Sequence, residues 1–171
     1  MKTTTEIIRE PLVEPRNQDS VVKPFVLSHG TLECYSLKET RRFFEEFLGL
    51  ECVRHGKRSM VVRCGLKFHI ACVEVGHRLH PVHLLNHWGV DVRTREEVYA
   101  ARAAALRLKD ESGIRDVHSI TEMHGTYSFY LVDLDHNWWE IQAVDNFRHD
   151  DLFNAGDQFG MDQVAPLEKA R

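Results

Sequence analysis

The chain repeats itself, and that constrains its fold more than any other feature. Leu27-Ser-His29 recurs as Leu85-Asn-His87 at an offset of 58, and Leu32-Glu33 recurs as Val90-Asp91 at the same offset. Further on, His55-Gly56 matches His124-Gly125 at an offset of 69. The change in offset marks a longer second helix and its following loop. A repeat of this length is one supersecondary unit, and such a unit buries its apolar face by stacking on its neighbour.

The pattern within each unit is the same. PFVLSHGTLECYS alternates and is rich in β formers, so it is a strand. LKETRRFFEEFLGL follows as a helix, with Phe43, Phe44, Phe47 and Leu48 at helical spacing and Gly49 as its stop. Short strands are expected near Cys52–Arg54, Ser59–Cys64 and Lys67–Glu74. GHRLHPVHLLN is a connection, and NHWGVDVR opens the second unit as a strand. TREEVYAARAAALRLKDESG is a helix with Thr94 as N-cap and Gly113 as stop. Strands near Val117–Glu122, Ser128–Val132 and Trp138–Val144 complete it. The order is βαβββ twice, an α+β chain whose two units curl into a half-open barrel around a metal site. Residues 1–24 carry Pro11, Pro15 and Pro24 among polar residues and read as an N-terminal arm. Residues 25–145 form the domain, with repeats at about 25–75 and 84–145, and residues 146–171 form a C-terminal extension.

Composition narrows the partners. The net charge of −4 offers no basic excess to neutralise phosphates, which argues against nucleic acid. No apolar run approaches the ~18 residues of a membrane span. The first twenty residues lack the apolar core of a signal peptide. Cys34, Cys52, Cys64 and Cys72 form no CxxC pair and read as reduced core thiols, so a cytoplasmic protein is expected.

Eleven histidines remain to be explained, and the repeat sorts them. His29 and His87 occupy equivalent places on the first strand of each unit. Glu140 lies on the last strand of the second unit, where its match at the offset of 69 is Ala71, or Cys72 with a one-residue slip. Glu74 lies three residues past that match, so it faces the other way. His29, His87 and Glu140 thus form a set of two imidazoles and one carboxylate. Such a set leaves up to three open positions on an octahedral ion, which suits iron(II) binding a substrate and dioxygen together. His69 shares a strand face with Ala71 and is expected to face the same cavity.

With these residues in place, the chain resembles the vicinal oxygen chelate (glyoxalase, bleomycin resistance, dioxygenase) superfamily over about residues 26–145. The runs FHIACVEVGHRLHPVHLLNHWGVDV and HGTYSFYLVDLDHNWWEIQ resemble the catalytic domain of type I extradiol catechol dioxygenases. The resemblance implies that His69 serves as acid/base and that His124 and Tyr130 hold the substrate oxygen. It implies Fe(II), with Mn(II) or another divalent metal as the alternative, and a small aromatic diol cleaved with O2. It also implies a homodimer or higher homo-oligomer. Two other functions compete: a metal-dependent lyase, isomerase or thiol transferase on the same scaffold, and a non-catalytic module that sequesters a small molecule.

The tails differ in apolar content. Phe147, Leu152, Phe153, Phe159 and Met161 recur through the C-terminal extension, whereas the N-terminal arm is polar and Pro-rich. Deleting residues 146–171 is therefore expected to lower the thermal midpoint more than deleting residues 1–20. The opposite ranking in a melting experiment would contradict this reading.

Overall fold

The computed structural model describes residues 20–21, 27–65, 68–123, 126–144 and 153. The expectations placed on the N-terminal arm, on His124 and on most of the C-terminal extension lie outside the described residues.

Two βαβββ units follow one another. The first comprises β1 (His29–Cys34), α1 (Leu37–Arg42, continuing as a π-helical segment Phe43–Phe47), β2 (Glu51–Gly56), β3 (Ser59–Arg63) and β4 (His69–Glu74). The second comprises β5 (Trp88–Asp91), α2 (Arg95–Arg107), β6 (Asp116–Val117), β7 (Thr121–Met123), β8 (Thr126–Val132) and β9 (Trp138–Val144). The expected strand near Val117–Glu122 is two short pieces, β6 and β7, both paired with β8. One sheet runs β1-β4-β3-β2 and the other β5-β9-β8-β6. Among the described residues no helix is long and apolar enough to cross a membrane.

The pairing registers reproduce the sequence offsets. Thr31 pairs with Ala71 on the parallel β1–β4 ladder, and Gly89 pairs with Glu140 on the parallel β5–β9 ladder. Thr31 and Gly89 are 58 apart, and Ala71 and Glu140 are 69 apart. Ala71 is therefore the structural counterpart of Glu140. Glu74 does face the other way: its Oε2 accepts the Leu37 amide at 2.8 Å and caps α1. Thr94 caps α2 by accepting the Glu97 amide.

One face of each sheet is sealed. Leu32, Cys34, Met60, Val62, Ile70 and Cys72 of the first sheet join Phe129, Leu131, Trp139, Ile141 and Ala143 of the second in one core. Phe44 of α1 meets Trp139 edge-on at 5.5 Å, which places the first helix between the repeats. The edge strands β1 and β5 also meet on this side. Trp88 lies so close over Gly30 that any side chain on Gly30 would collide with the ring. The expected half-open barrel is thus, within one chain, two separate sheets sharing a core.

A buried polar turn fastens the repeats together. Asp133 Oδ1 accepts the amides of Asp135 (2.8 Å) and Asn137 (2.9 Å). Its Oδ2 accepts Asn137 Nδ2 (3.2 Å) and the Trp139 indole N–H (2.9 Å). Asp135 then reaches into the first repeat, accepting the Tyr35 amide at 2.7 Å and the Thr40 hydroxyl at 2.6 Å. Burial and the neighbouring Asp135 carboxylate push Asp133 up to about 7, against the hydrogen bonds from Trp139, Asn137 and Asp135 that favour its charged form. His136 closes the turn with φ 63, the left-handed region that a residue with a side chain enters at a cost. All four cysteines are free thiols. Cys34, Cys52 and Cys72 are buried as expected, and Cys64, just past the end of β3, is exposed instead.

Asp135→Ala leaves the part-buried Tyr35 amide without its acceptor, takes one of two acceptors from the Thr40 hydroxyl, and empties a buried site between the repeats. It should lower the unfolding free energy by about 3 kcal/mol in urea denaturation. A loss below about 1 kcal/mol would show that the turn does not hold the repeats together.

Candidate metal centre

The other face of each sheet is more open, and it carries the expected site residues. His87 ends the connection between the repeats, just after a 3-10 turn at Leu84–Asn86. Its Nδ1 lies 2.7 Å from the Leu84 carbonyl oxygen, which can only accept, so Nδ1 carries the proton. Nε2 is then presented 3.2 Å from Glu140 Oε2. Two adjacent ligand atoms held at right angles about 2.1 Å from an ion lie about 3.0 Å apart. The pair therefore fits two neighbouring ligands of one divalent ion. Without a cation or proton between them, two lone pairs would face each other.

Glu140 is held in place from β8. Ser128 donates to its Oε1 at 2.6 Å. Tyr130 stands opposite Glu140 in the β8–β9 ladder, and its ring meets His87 edge-on at 5.2 Å. Burial, together with the Glu140 carboxylate, pushes the Tyr130 phenol up to about 12. Tyr130 thus keeps its proton at neutral pH and remains a donor.

His29 stands elsewhere, on the open face of the first sheet. It pairs with His69 across the β1–β4 ladder, and the two rings stack at 5.4 Å with 14° between planes. Its Nδ1 contacts the Ser28 hydroxyl at 2.8 Å. Among the described residues no three His, Cys, Asp or Glu side chains gather as one ligand set. The expected triad is therefore split, with His87 and Glu140 on one sheet and His29 beside His69 on the other. The repeats meet through Phe44 on Trp139, Trp88 over Gly30 and Asp135 on Tyr35 and Thr40, contacts that do not bring His29 to His87 and Glu140 within one chain.

The remaining histidines have local tasks or lie at the edge. His80 binds Glu33 through its amide (2.8 Å) and its ring, holding Glu33 below the usual carboxylate range. His83 accepts the Leu85 amide and shapes the turn before His87. A cavity of about 470 Å³ opens between the sheets, walled by Val62, Ile70, Trp88, Val90 and Trp139 together with Asp91 and Gln142. His69 borders it, but His29, His87 and Glu140 do not. Ser128 was not among the expected residues. It lies two before Tyr130, so the strand period alone places it on the same face.

No protein-family model and no curated protein matches the chain. Solved structures do. A lactoylglutathione lyase from Agrobacterium tumefaciens aligns over 71% of this chain and 96% of its own, at 17% identity and a TM-score of 0.53. The fosfomycin resistance protein FosX from Listeria monocytogenes, complexed with Mn(II) and sulfate, aligns over 71% and 91%, at 20% identity and a TM-score of 0.55. A glyoxalase/bleomycin resistance protein/dioxygenase from Alicyclobacillus acidocaldarius aligns over 77% and 96%, at 19% identity and a TM-score of 0.52. At these identities the likeness is one of fold. The chain has the α+β fold of the vicinal oxygen chelate proteins, with two sheets and no closed barrel.

Proposed function

We propose that the chain is one subunit of a divalent-metal enzyme that acts on a substrate with two adjacent oxygens, without consuming O2. This is the lyase, isomerase or transferase chemistry of the scaffold. The observation that carries the reading is the His87–Glu140 pair, with Nε2 and Oε2 3.2 Å apart and Nδ1 committed to a backbone carbonyl. Two of the similar structures have names that fit it: one is a lyase, and another was solved with Mn(II).

A divalent ion held there supplies Lewis acidity to the substrate oxygens. The chain's own groups do the rest. Ser128 fixes one oxygen of Glu140 and leaves the other turned toward His87. Tyr130 holds its proton on the hydroxyl and donates it in a hydrogen bond to a substrate oxygen as charge develops there. The third ligand, His29, comes in this reading from a second copy of the chain, arriving with His69 beside it as the group that moves a proton. A twofold dimer forms two such composite sites, one for each His87–Glu140 pair. Two apolar residues fit a covered interface, since Val53 (51% exposed) and Met123 (60% exposed) lie on these open faces.

The iron(II) extradiol dioxygenase reading keeps one specific observation in its favour: His69 stacks on His29, where an acid/base group would serve bound oxygen. Metal analysis followed by oxygen uptake separates the two. The protein should take up Mn(II) or another divalent ion and consume no O2 with catechols. Ring cleavage with oxygen uptake would move the dioxygenase ahead. His87→Ala should remove most of the bound metal; full occupancy in that variant would sink the assignment. Ser128→Ala keeps both ligands but frees the carboxylate, and Mn(II) affinity measured by titration should fall about 10–100-fold.

A further inference from the structure

The cavity between the sheets changes character with depth. Its inner wall takes one neighbouring pair from each repeat: Val62 stands opposite Ile70 in the β3–β4 ladder, and Trp88 opposite Trp139 in the β5–β9 ladder. Val62, Ile70 and Trp139 are buried. Phe68 meets Trp88 with ring centroids 6.1 Å apart, which closes one side in aromatic carbon. The Trp88 ring keeps its place because Gly30 has no side chain to displace it. Towards solvent the wall turns polar, through the exposed Arg63, Cys64 and Asp91 and the half-buried Gln142.

The charged groups at this mouth are engaged by the protein itself. Arg63 donates twice to the Glu51 carboxylate, at 2.6 and 3.2 Å, and Asp91 accepts from the Gln142 amide at 2.7 Å. An ion entering the cavity would therefore give up its water for aromatic and aliphatic walls. Protein interiors leave few voids larger than a water molecule, whereas small-molecule sites occupy about 300–1,000 Å³. An apolar space of about 150 Å³ takes a benzene molecule, so the 470 Å³ here has room for roughly three times that bulk.

We propose that this cavity is a binding site for an uncharged, mainly apolar small molecule with the bulk of two fused rings. Its ring system lies between Phe68, Trp88 and the Val62–Ile70 pair. One hydroxyl or carbonyl oxygen points to the mouth, where His69 and Gln142 supply hydrogen-bonding groups. Because the walls come from both repeats, the bound molecule also braces one repeat against the other. Neither His87 nor Glu140 lines the cavity, so the proposal does not rest on the metal centre.

Three probes that share one ring system test it by calorimetry on the full chain: 2-naphthol, 2-naphthoate and 2-naphthylmethylammonium. The neutral 2-naphthol should bind with a Kd below about 1 mM. Each ion should bind at least about tenfold more weakly. Saturating 2-naphthol should also raise the thermal midpoint, as any ligand of the native state does. Val90 lines the cavity from the edge strand β5, where an aromatic side chain is well tolerated. Val90→Phe and Val90→Trp put progressively more ring into the space, and the larger should weaken 2-naphthol at least about tenfold. Leu106→Trp, a similar change at an exposed position on α2, should leave its affinity unaltered. Folded wild-type protein that binds no 2-naphthol up to about 1 mM would overturn the proposal. So would equal binding of all three probes, or full affinity in both Val90 variants. Binding that strengthens as the protein is diluted would show that a second copy of the chain fills the cavity, and would overturn it as well.

Discussion

The buried carboxylates of the β8–β9 turn set the arrangement of everything else. Asp133 organises its own turn, and Asp135 reaches across to the start of α1 in the other repeat. A charged group in a low-dielectric core is costly unless its partners are complete, so this junction admits little variation. It draws the first helix onto Trp139 and merges the buried faces of both sheets. Within one chain, His29 and His69 then stand apart from His87 and Glu140.

That geometry explains why each half of the site looks unfinished. His87 has its proton placed by a backbone carbonyl, and Glu140 has its second oxygen held by Ser128. Both are oriented as ligands are oriented in a working metal site, where the outer partner fixes the inner one. Yet two ligands hold a divalent ion weakly, and the third candidate lies across the molecule beside His69. In the proposed dimer, pairing two copies would bring complementary half-sites together without new machinery in either.

Much of this was legible in the sequence because it depends on periodicity. The offsets of 58 and 69 recur as pairing registers, which choose Ala71 over Cys72 as the counterpart of Glu140. The strand period of two turned Glu74 away from the face of Ala71, while Tyr130 was reached through the family resemblance. What periodicity does not encode is how two finished units sit against each other. That depends on Gly30 admitting Trp88 and on Asp135 finding Tyr35 and Thr40, contacts between residues far apart in the chain. The division of the expected strand into β6 and β7 is hidden for a related reason, since only their pairing with β8 defines them.

The central claim is that one centre draws its ligands from two chains. Subunit mixing tests it most directly, using His29→Ala and His87→Ala, each of which should bind little Mn(II) alone. Mixed, unfolded and refolded together in equal amounts, half the dimers are hybrids with one intact site of two, so about a quarter of the wild-type Mn(II) capacity should return. No recovery, while each variant folds and dimerises, would contradict the shared centre, as would full Mn(II) binding by His29→Ala alone.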